Sequence, residues 1–187
     1  MTNYRRNFVP GGMYFFTVNV ADRRSRILTE HISDLRAAFR YVRLRHPFVI
    51  DAIVVLPDHL HAVWTLPEGD ADFALRWRLI KSRFSHALPH GETISASRSE
   101  KGERGIWQRR YWEHTLRDES DLVRHIDYIH FNPAKHGHVT QVRNWPRSIG
   151  WYGRGCIRRI GVATCGPRRA GLVKGDGFRS FFGLNAE

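Results

Sequence analysis

Cysteine is almost missing from this chain: Cys156 and Cys165 are the only two in 187 residues. Two thiols near one end make neither a disulfide framework nor the paired cysteines of a structural zinc site, so a reducing compartment is expected. Lysine is nearly as scarce, four of thirty basic side chains against twenty-six arginines. Arginine's planar fork suits phosphates and guanine edges; a GC-rich genome would produce the same bias, and composition does not separate the two. No apolar run approaches the roughly 18 residues of a membrane span. The apolar stretch Met13 to Val20, behind Arg5 and Arg6, is too short for a signal peptide and lacks a small-residue cleavage site. The expectation is a cytoplasmic, nucleoid-associated protein with no membrane partner.

The chain is 42% hydrophobic and 12% aromatic, enough for one substantial core. Its net charge of +12 and pI near 10.6 favour a polyanionic partner. The basic residues are spread along the sequence rather than gathered in a tail.

Periodicity gives the expected elements. "MYFFTVNV" alternates as a strand, with Tyr14, Phe16, Val18 and Val20 on one face. Ile32, Leu35, Phe39 and Val42 recur at helical spacing until Pro47. "FVIDAIVVL" and "HLHAVWTL" read as two strands joined by a tight turn at Pro57-Asp58. Asp70 or Asp72 caps a helix with Phe73, Trp77, Ile80 and Phe84 as its apolar stripe. Residues 89 to 106 read as a loop and "IWQRRYWEHTL" as a short strand plus loop; a last helix covers 118–132, with Leu122, Ile126 and Ile129 inward. The order β-α-β-β-α-β plus a helix predicts an α+β fold of the ferredoxin or RRM type: a split βαβ antiparallel sheet with helices on one face.

Within the third strand, "PDHLHAVW" places His59 and His61 on one face, with Leu60 and Ala62 on the other. Two imidazoles side by side can grip one metal ion; two solvated histidines on a strand edge are the competing reading. On the last helix Arg124, Tyr128 and Asn132 follow one another at i, i+4 spacing on one face. Pro133 disfavours helix at the preceding residue, which puts Asn132 at the helix end with its amide free to reach a neighbouring site.

"PDHLH", "WQRRYWEH" and "DYIHFNPAKHG", in that order, together with the opening "YRRNFVPGGMYFFTVN", resemble the REP-associated tyrosine transposases. These are relatives of the single-tyrosine insertion-sequence transposases in the HUH endonuclease superfamily. The resemblance covers roughly residues 3 to 147. It implies that His59 and His61 form the HUH motif and bind Mg2+ or Mn2+, that Asn132 is the third ligand, and that Tyr128 is the nucleophile. It further implies cleavage and rejoining of single-stranded hairpin DNA from repetitive extragenic palindromes (REP), through a 5′-phosphotyrosine link and a free 3′-hydroxyl. Two imidazoles alone would suggest zinc, but an amide ligand and a phosphate substrate favour a harder ion. Asp58 stands where the family carries an acid; it either orients a histidine from behind or is only a turn residue. His114, His125, His130, His136 and His138 are read as solvated or phosphate-facing rather than as ligands.

Single-strand binding calls for basic grooves with aromatic platforms. Trp107, Tyr111 and Trp112, interleaved with Arg109 and Arg110, fit that description, with Trp112 the one expected to turn inward. Tyr4, Arg5 and Arg6 form an arm able to reach bases. Arg76, Arg78, Lys81 and Arg83 on the second long helix read equally as a phosphate track or as a solvated helix face, and Arg124 as a further contact. The expected division is a transposase domain over 1–147 and an irregular basic tail over 148–187. A frameshift accounts for the tail: Cys156-Ile-Arg-Arg-Ile-Gly-Val162 can be encoded so that reading one base earlier yields Leu-Tyr-Pro-Pro-Asp-Trp-Gly, close to a family segment otherwise missing. A monomer is expected over a dimer. A non-catalytic single-strand-binding or repressor module on the same fold is the alternative; a zinc hydrolase lacks an identifiable third strong ligand or general base.

Overall fold

The computed structural model of the protein describes residues 6–91, 94–152, 156 and 157. Alternation in β1 (Met13–Asn19) sends Tyr14, Phe16 and Val18 to one side and Phe15 to the other. Helices α1 (Ile27–Glu30) and α2 (Ile32–Arg45) then lead to β2 (Val49–Val55), which turns through Pro57-Asp58 into β3 (His59–Thr65). β1 pairs with β3 in a register that sets Thr17 opposite His61 and Asn19 opposite His59. Helix α3 (Phe73–Ala87) and the short α4 (Ala96–Ser99) precede β4 (Trp112–Thr115), and α5 (Glu119–Lys135) precedes β5 (Ser148–Tyr152) and β6 (Cys156–Ile157). All pairings are antiparallel and the strand order is β4-β1-β3-β2-β5-β6. The first four strands are thus the expected split βαβ sheet.

Helices α2 and α3 share one face, as expected. Leu35, Phe39 and Val42 of α2 and Phe73, Trp77, Ile80 and Phe84 of α3 close over Tyr14, Phe16, Leu60, Ala62 and Trp64. The Trp64 and Trp77 rings stack at its centre, 4.2 Å between centroids. Helix α5 lies on the other face, where Ile126 and Ile129 meet Phe15, Ala52, Val54, Leu56 and Val63. The reason is legible in β2: Ile53 and Val55 point one way and Ala52 and Val54 the other, so both faces are apolar and both need a cover.

The helix ends follow local chemistry, with one departure. Asp72 caps α3 by accepting from the Leu75 amide at 2.8 Å, and Asp118 caps α5 through the Asp121 amide at 2.8 Å. Helix α5 does not stop at Asn132 but runs through Pro133 to Lys135. Proline forfeits one backbone bond there, in the last turn. The terminus replaces it with amides of His136 and His138 donating to Asn132 and Pro133 carbonyls at 3.0 and 2.9 Å, around a left-handed Gly137 with φ 70°. β5 pairs with β2 from Ser148 to Gly150, so the sheet takes in residues assigned from sequence to the irregular tail. Trp151 and Tyr152 pair on with Ile157 and Cys156 of β6; the rest of the expected tail lies outside the described residues.

Arg76 is not on a phosphate track. Its side chain is 2% exposed, pairs with Asp70 at 2.6 Å and donates to the carbonyls of His46, Pro47 and Asp72. A guanidinium with five donors can knot three segments together where a phosphate contact would leave it in solvent. Arg76→Ala should therefore cost about 3 kcal/mol in urea unfolding, the low end for a broken buried pair because Asp70 stays partly in water.

Asp51 occupies a bulge in β2, between Ile50 and Ala52, where its carboxylate accepts from Thr65 Oγ1 at 2.8 Å. Burial pushes its pKa up to about 6, more than the Thr65 hydrogen bond offsets. The folded state then holds a proton that the unfolded chain has already released, so stability falls as pH rises from about 4 to about 6. Asp51→Asn should flatten that decline and add about 1 kcal/mol at pH 7.5, read as thermal midpoints across pH 4 to 8.

Candidate metal and nucleophile centre

β3 is an interior strand, so the two histidines of "DHLH" are not on an edge. His59 is 5% and His61 3% exposed, both beneath α5. Each has its Nδ1 engaged: His59 with Asp58 Oδ1 at 2.7 Å, His61 with its cross-strand partner Thr17 Oγ1 at 2.9 Å. Asp58 in turn pairs with Arg23 at 3.1 Å, so it orients His59 rather than merely turning the chain. The Nε2 atoms remain to act, and His61 Nε2 is buried without a hydrogen-bond partner among the described residues. Burial pushes the His61 pKa down to about 3, with His59, His136, Arg23 and Lys135 adding to the effect. Burial also lowers His59, although Asp58 opposes it. Both rings are neutral at pH 7, the form that can donate a lone pair to a metal.

Helix α5 supplies the rest. Tyr128, Asn132 and His136 stand at i, i+4, i+8. The Tyr128 ring lies 5.0 Å from the His61 ring, and the His136 ring 5.3 Å from the His59 ring. Asn132, midway between them on the same helical face, is fully buried, and both amide atoms lack a hydrogen-bond partner among the described residues. An unsatisfied buried amide beside an unsatisfied buried imidazole is costly unless something fills the gap. Two neutral nitrogens and one amide oxygen suit a divalent cation that completes its shell with phosphate or water. Tyr128 is 39% exposed, so its hydroxyl is accessible, and Lys135 Nζ lies 5.2 Å from its ring.

A second cluster able to hold a divalent metal joins β4 to α5, where one ligand atom each of His114, Asp121 and His125 lies within 4.8 Å of the others. The same residues also bond one another: His114 Nε2 lies 2.8 Å from Asp121 Oδ2, and His125 Nδ1 lies 3.3 Å from Asp121 Oδ1 while donating to the Asp121 backbone carbonyl at 2.8 Å. Desolvation raises the Asp121 carboxyl, but His114, the Arg117 amide and Arg124 together outweigh it and hold it down at about 2. The i, i+4 spacing of Asp121 and His125 was readable in the expected helix, but nothing in the sequence brought His114 to them, and both histidines were expected not to be ligands.

The expected nucleic-acid contacts divide. Arg6, Arg78, Lys81, Arg109 and Tyr111 line one cleft of about 850 Å3 on the α3 side of the sheet. Arg6 is anchored by Tyr111 Oη at 2.8 Å and by Glu113 at 3.7 Å. Lys81 donates to the Gln108 carbonyl at 2.6 Å, and burial lowers its pKa to about 8. Arg109 pairs with Glu103 at 2.9 Å. Arg83 stacks on Tyr41, and Arg110 and Arg124 are exposed. The two tryptophans exchange the places expected of them. Trp107 is core, 7% exposed, its indole donating to the Lys81 carbonyl. Trp112 is 49% exposed on the edge strand β4, stacked on His114. Tyr4 and Arg5 lie outside the described residues.

No protein-family model matches the sequence. The chain is 49% identical over 148 residues to the REP-associated tyrosine transposase of Escherichia coli, covering 79% of this chain and 82% of that protein. It is 45% identical over 149 residues to a Haemophilus influenzae protein with the same family designation, covering 79% and 85%. A solved structure of a REP-associated tyrosine transposase bound to a REP hairpin superposes with a TM-score of 0.69 at 43% identity, over 89% of this chain and all of that one. With the sheet, the paired histidines and the tyrosine helix in the order its motifs require, this chain belongs to the REP-associated tyrosine transposases.

Proposed function

We propose that the protein is an HUH-type, metal-dependent endonuclease and strand transferase that cuts and rejoins single-stranded DNA beside a REP-like hairpin. The observation that carries this reading is the pair of unsatisfied buried groups, His61 Nε2 and the Asn132 amide, next to a half-exposed Tyr128. A binder would have no use for two orphaned donor atoms facing an accessible phenol. The hairpin held by the solved relative supports the substrate class.

Mg2+ or Mn2+ held by His59, His61 and Asn132 would polarise the scissile phosphate and offset charge gathering on its oxygens. Asp58 and Thr17 fix the two rings so that Nε2 faces inward. Tyr128 Oη attacks phosphorus: an O–P bond to tyrosine forms, the bond to the 3′-oxygen breaks, the phenol proton passes to water, and the 3′-oxygen takes a proton from water as it leaves. A phenol, with an ordinary pKa of about 10, is a weak nucleophile at neutral pH. Lys135 Nζ, 5.2 Å from the Tyr128 ring, puts a cation near the side from which the phosphate is attacked. One phosphodiester replaces another, so the released 3′-hydroxyl can attack the phosphotyrosine and restore the strand. The 850 Å3 cationic cleft on the α3 side takes the hairpin's phosphates, and one chain suffices for one cut.

Tyr128→Phe should abolish a covalent protein–DNA adduct on denaturing gels while hairpin affinity changes less than about twofold, since the hydroxyl adds no phosphate charge. An adduct in the Phe variant would move the nucleophile elsewhere.

Thr17→Val and Asp58→Asn each remove the partner of one imidazole, and each should weaken Mn2+ binding about 10- to 100-fold by calorimetry. Cleavage should vanish in EDTA, return with Mg2+ or Mn2+, and recover in both variants at raised Mn2+. Full wild-type activity after chelation would remove the metal from the mechanism.

A further inference from the structure

A second basic concavity, of about 320 Å3, is lined by Asp58 and His136, two side chains that touch His59. Arg23, Arg24 and Arg26 of the β1–α1 turn line it together with His136 and His138 of the segment after α5 and with Asp58. Asp58 is committed to His59 and Arg23. Arg24 has only exposed Asp22, 3.5 Å away, and the Arg26 guanidinium has no ion-pair partner among the described residues. Three guanidiniums and two imidazoles around one spent carboxylate make a site for an anion, and nothing in the motif pattern had singled out these arginines.

Its position relative to Tyr128 says which anion. Rings run in file from the nucleophile to the pocket: Tyr128 to His61 at 5.0 Å, His61 to His59 at 5.0 Å, His59 to His136 at 5.3 Å, His136 to His138 at 6.3 Å. Tyr128 and His136 are eight residues apart on one helical face, about 12 Å along the axis, with Asn132 between them. A phosphorus over the His59, His61 and Asn132 atoms therefore has Tyr128 on one side and the arginine pocket on the other. In an in-line displacement the leaving oxygen departs opposite the nucleophile. Resting on the transesterase reading above, we propose that this pocket binds a phosphodiester of the departing strand, the one that ends in the new 3′-hydroxyl. Held there, the hydroxyl stays next to the phosphotyrosine, which favours rejoining over loss of the strand.

The test is Arg24→Ala/Arg26→Ala, with Arg24→Lys/Arg26→Lys as the charge-conserving control. Fluorescence anisotropy with dT10 needs no catalysis. The alanine pair should weaken binding about tenfold and reduce the log–log salt slope by about 1.4, two contacts at about 0.7 each, with most of the slope restored by the lysine pair. An unchanged slope overturns the pocket. With a cleavable hairpin strand, release of the fluorescent 3′-hydroxyl fragment from the adduct should accelerate about tenfold in the alanine pair, and the ratio of rejoined to cleaved DNA should fall in step. Release at the wild-type rate despite weaker dT10 binding would overturn the strand assignment. A wild type that forms no adduct overturns the transesterase reading and that assignment with it, whereas the dT10 slopes still decide whether the pocket holds phosphate.

Discussion

Everything at the centre depends on the two-residue period of β3. Leu60, Ala62 and Trp64 go to the α2–α3 face, where Trp64 meets Trp77; His59, His61 and Val63 go to the α5 face. A slip of one residue would put imidazoles into the aromatic core and tryptophan under the tyrosine helix. Pairing on both sides prevents that slip, because β3 is flanked by β1 and β2 and carries large apolar groups whose register is fixed by burial. The apolar half of the strand thus aims the polar half.

The same burial settles an electrostatic conflict. A chain with net charge +12 surrounds its paired histidines with Arg23, Lys135 and His136. Desolvation and those cations act in one direction on His61, away from the imidazolium, and so preserve its lone pair. Positive surroundings that attract a phosphate backbone and neutral nitrogens that can take up a cation are therefore compatible. They would not be if the rings were exposed, as in the strand-edge alternative.

Much of this was legible. Alternation located β1, β2 and β3, helical spacing located α2, α3 and α5, and the shared face of Tyr128 and Asn132 was readable from i, i+4 spacing alone. What was not legible required a partner distant in sequence. Arg76 looks like its neighbours Arg78 and Arg83 until His46 and Pro47 are folded against it. Trp107 makes an isolated bridge to Val20 outside β4, so the strand period linking it to Trp112 does not apply. Pro133 signals a helix end, yet tertiary burial of Asn132 and the capping around Gly137 carry α5 one turn further. That extra turn matters, because it puts Lys135 over Tyr128 and His136 against His59.

Helix α5 therefore does more than carry a tyrosine. Its apolar side, Ile126 and Ile129, is fixed to β2 and β3, while Tyr128, Asn132 and His136 run along its length over the histidine pair. Its N-terminal turn is tied to β4 by Asp121 and His114, and its C-terminal turn is followed by His138 stacked on Trp145, whose indole donates to the Val55 carbonyl of β2. Fixed at both ends and along one side, the helix cannot slide without breaking a buried contact. The exchange proposed above needs that rigidity: nucleophile, phosphorus and leaving oxygen must stay collinear to within a fraction of an ångström in both directions. The cationic cleft lies across the sheet on α3. On the reading proposed above, the hairpin and the cut fall to different layers of one sheet, joined through β1 and β3, which both cores share.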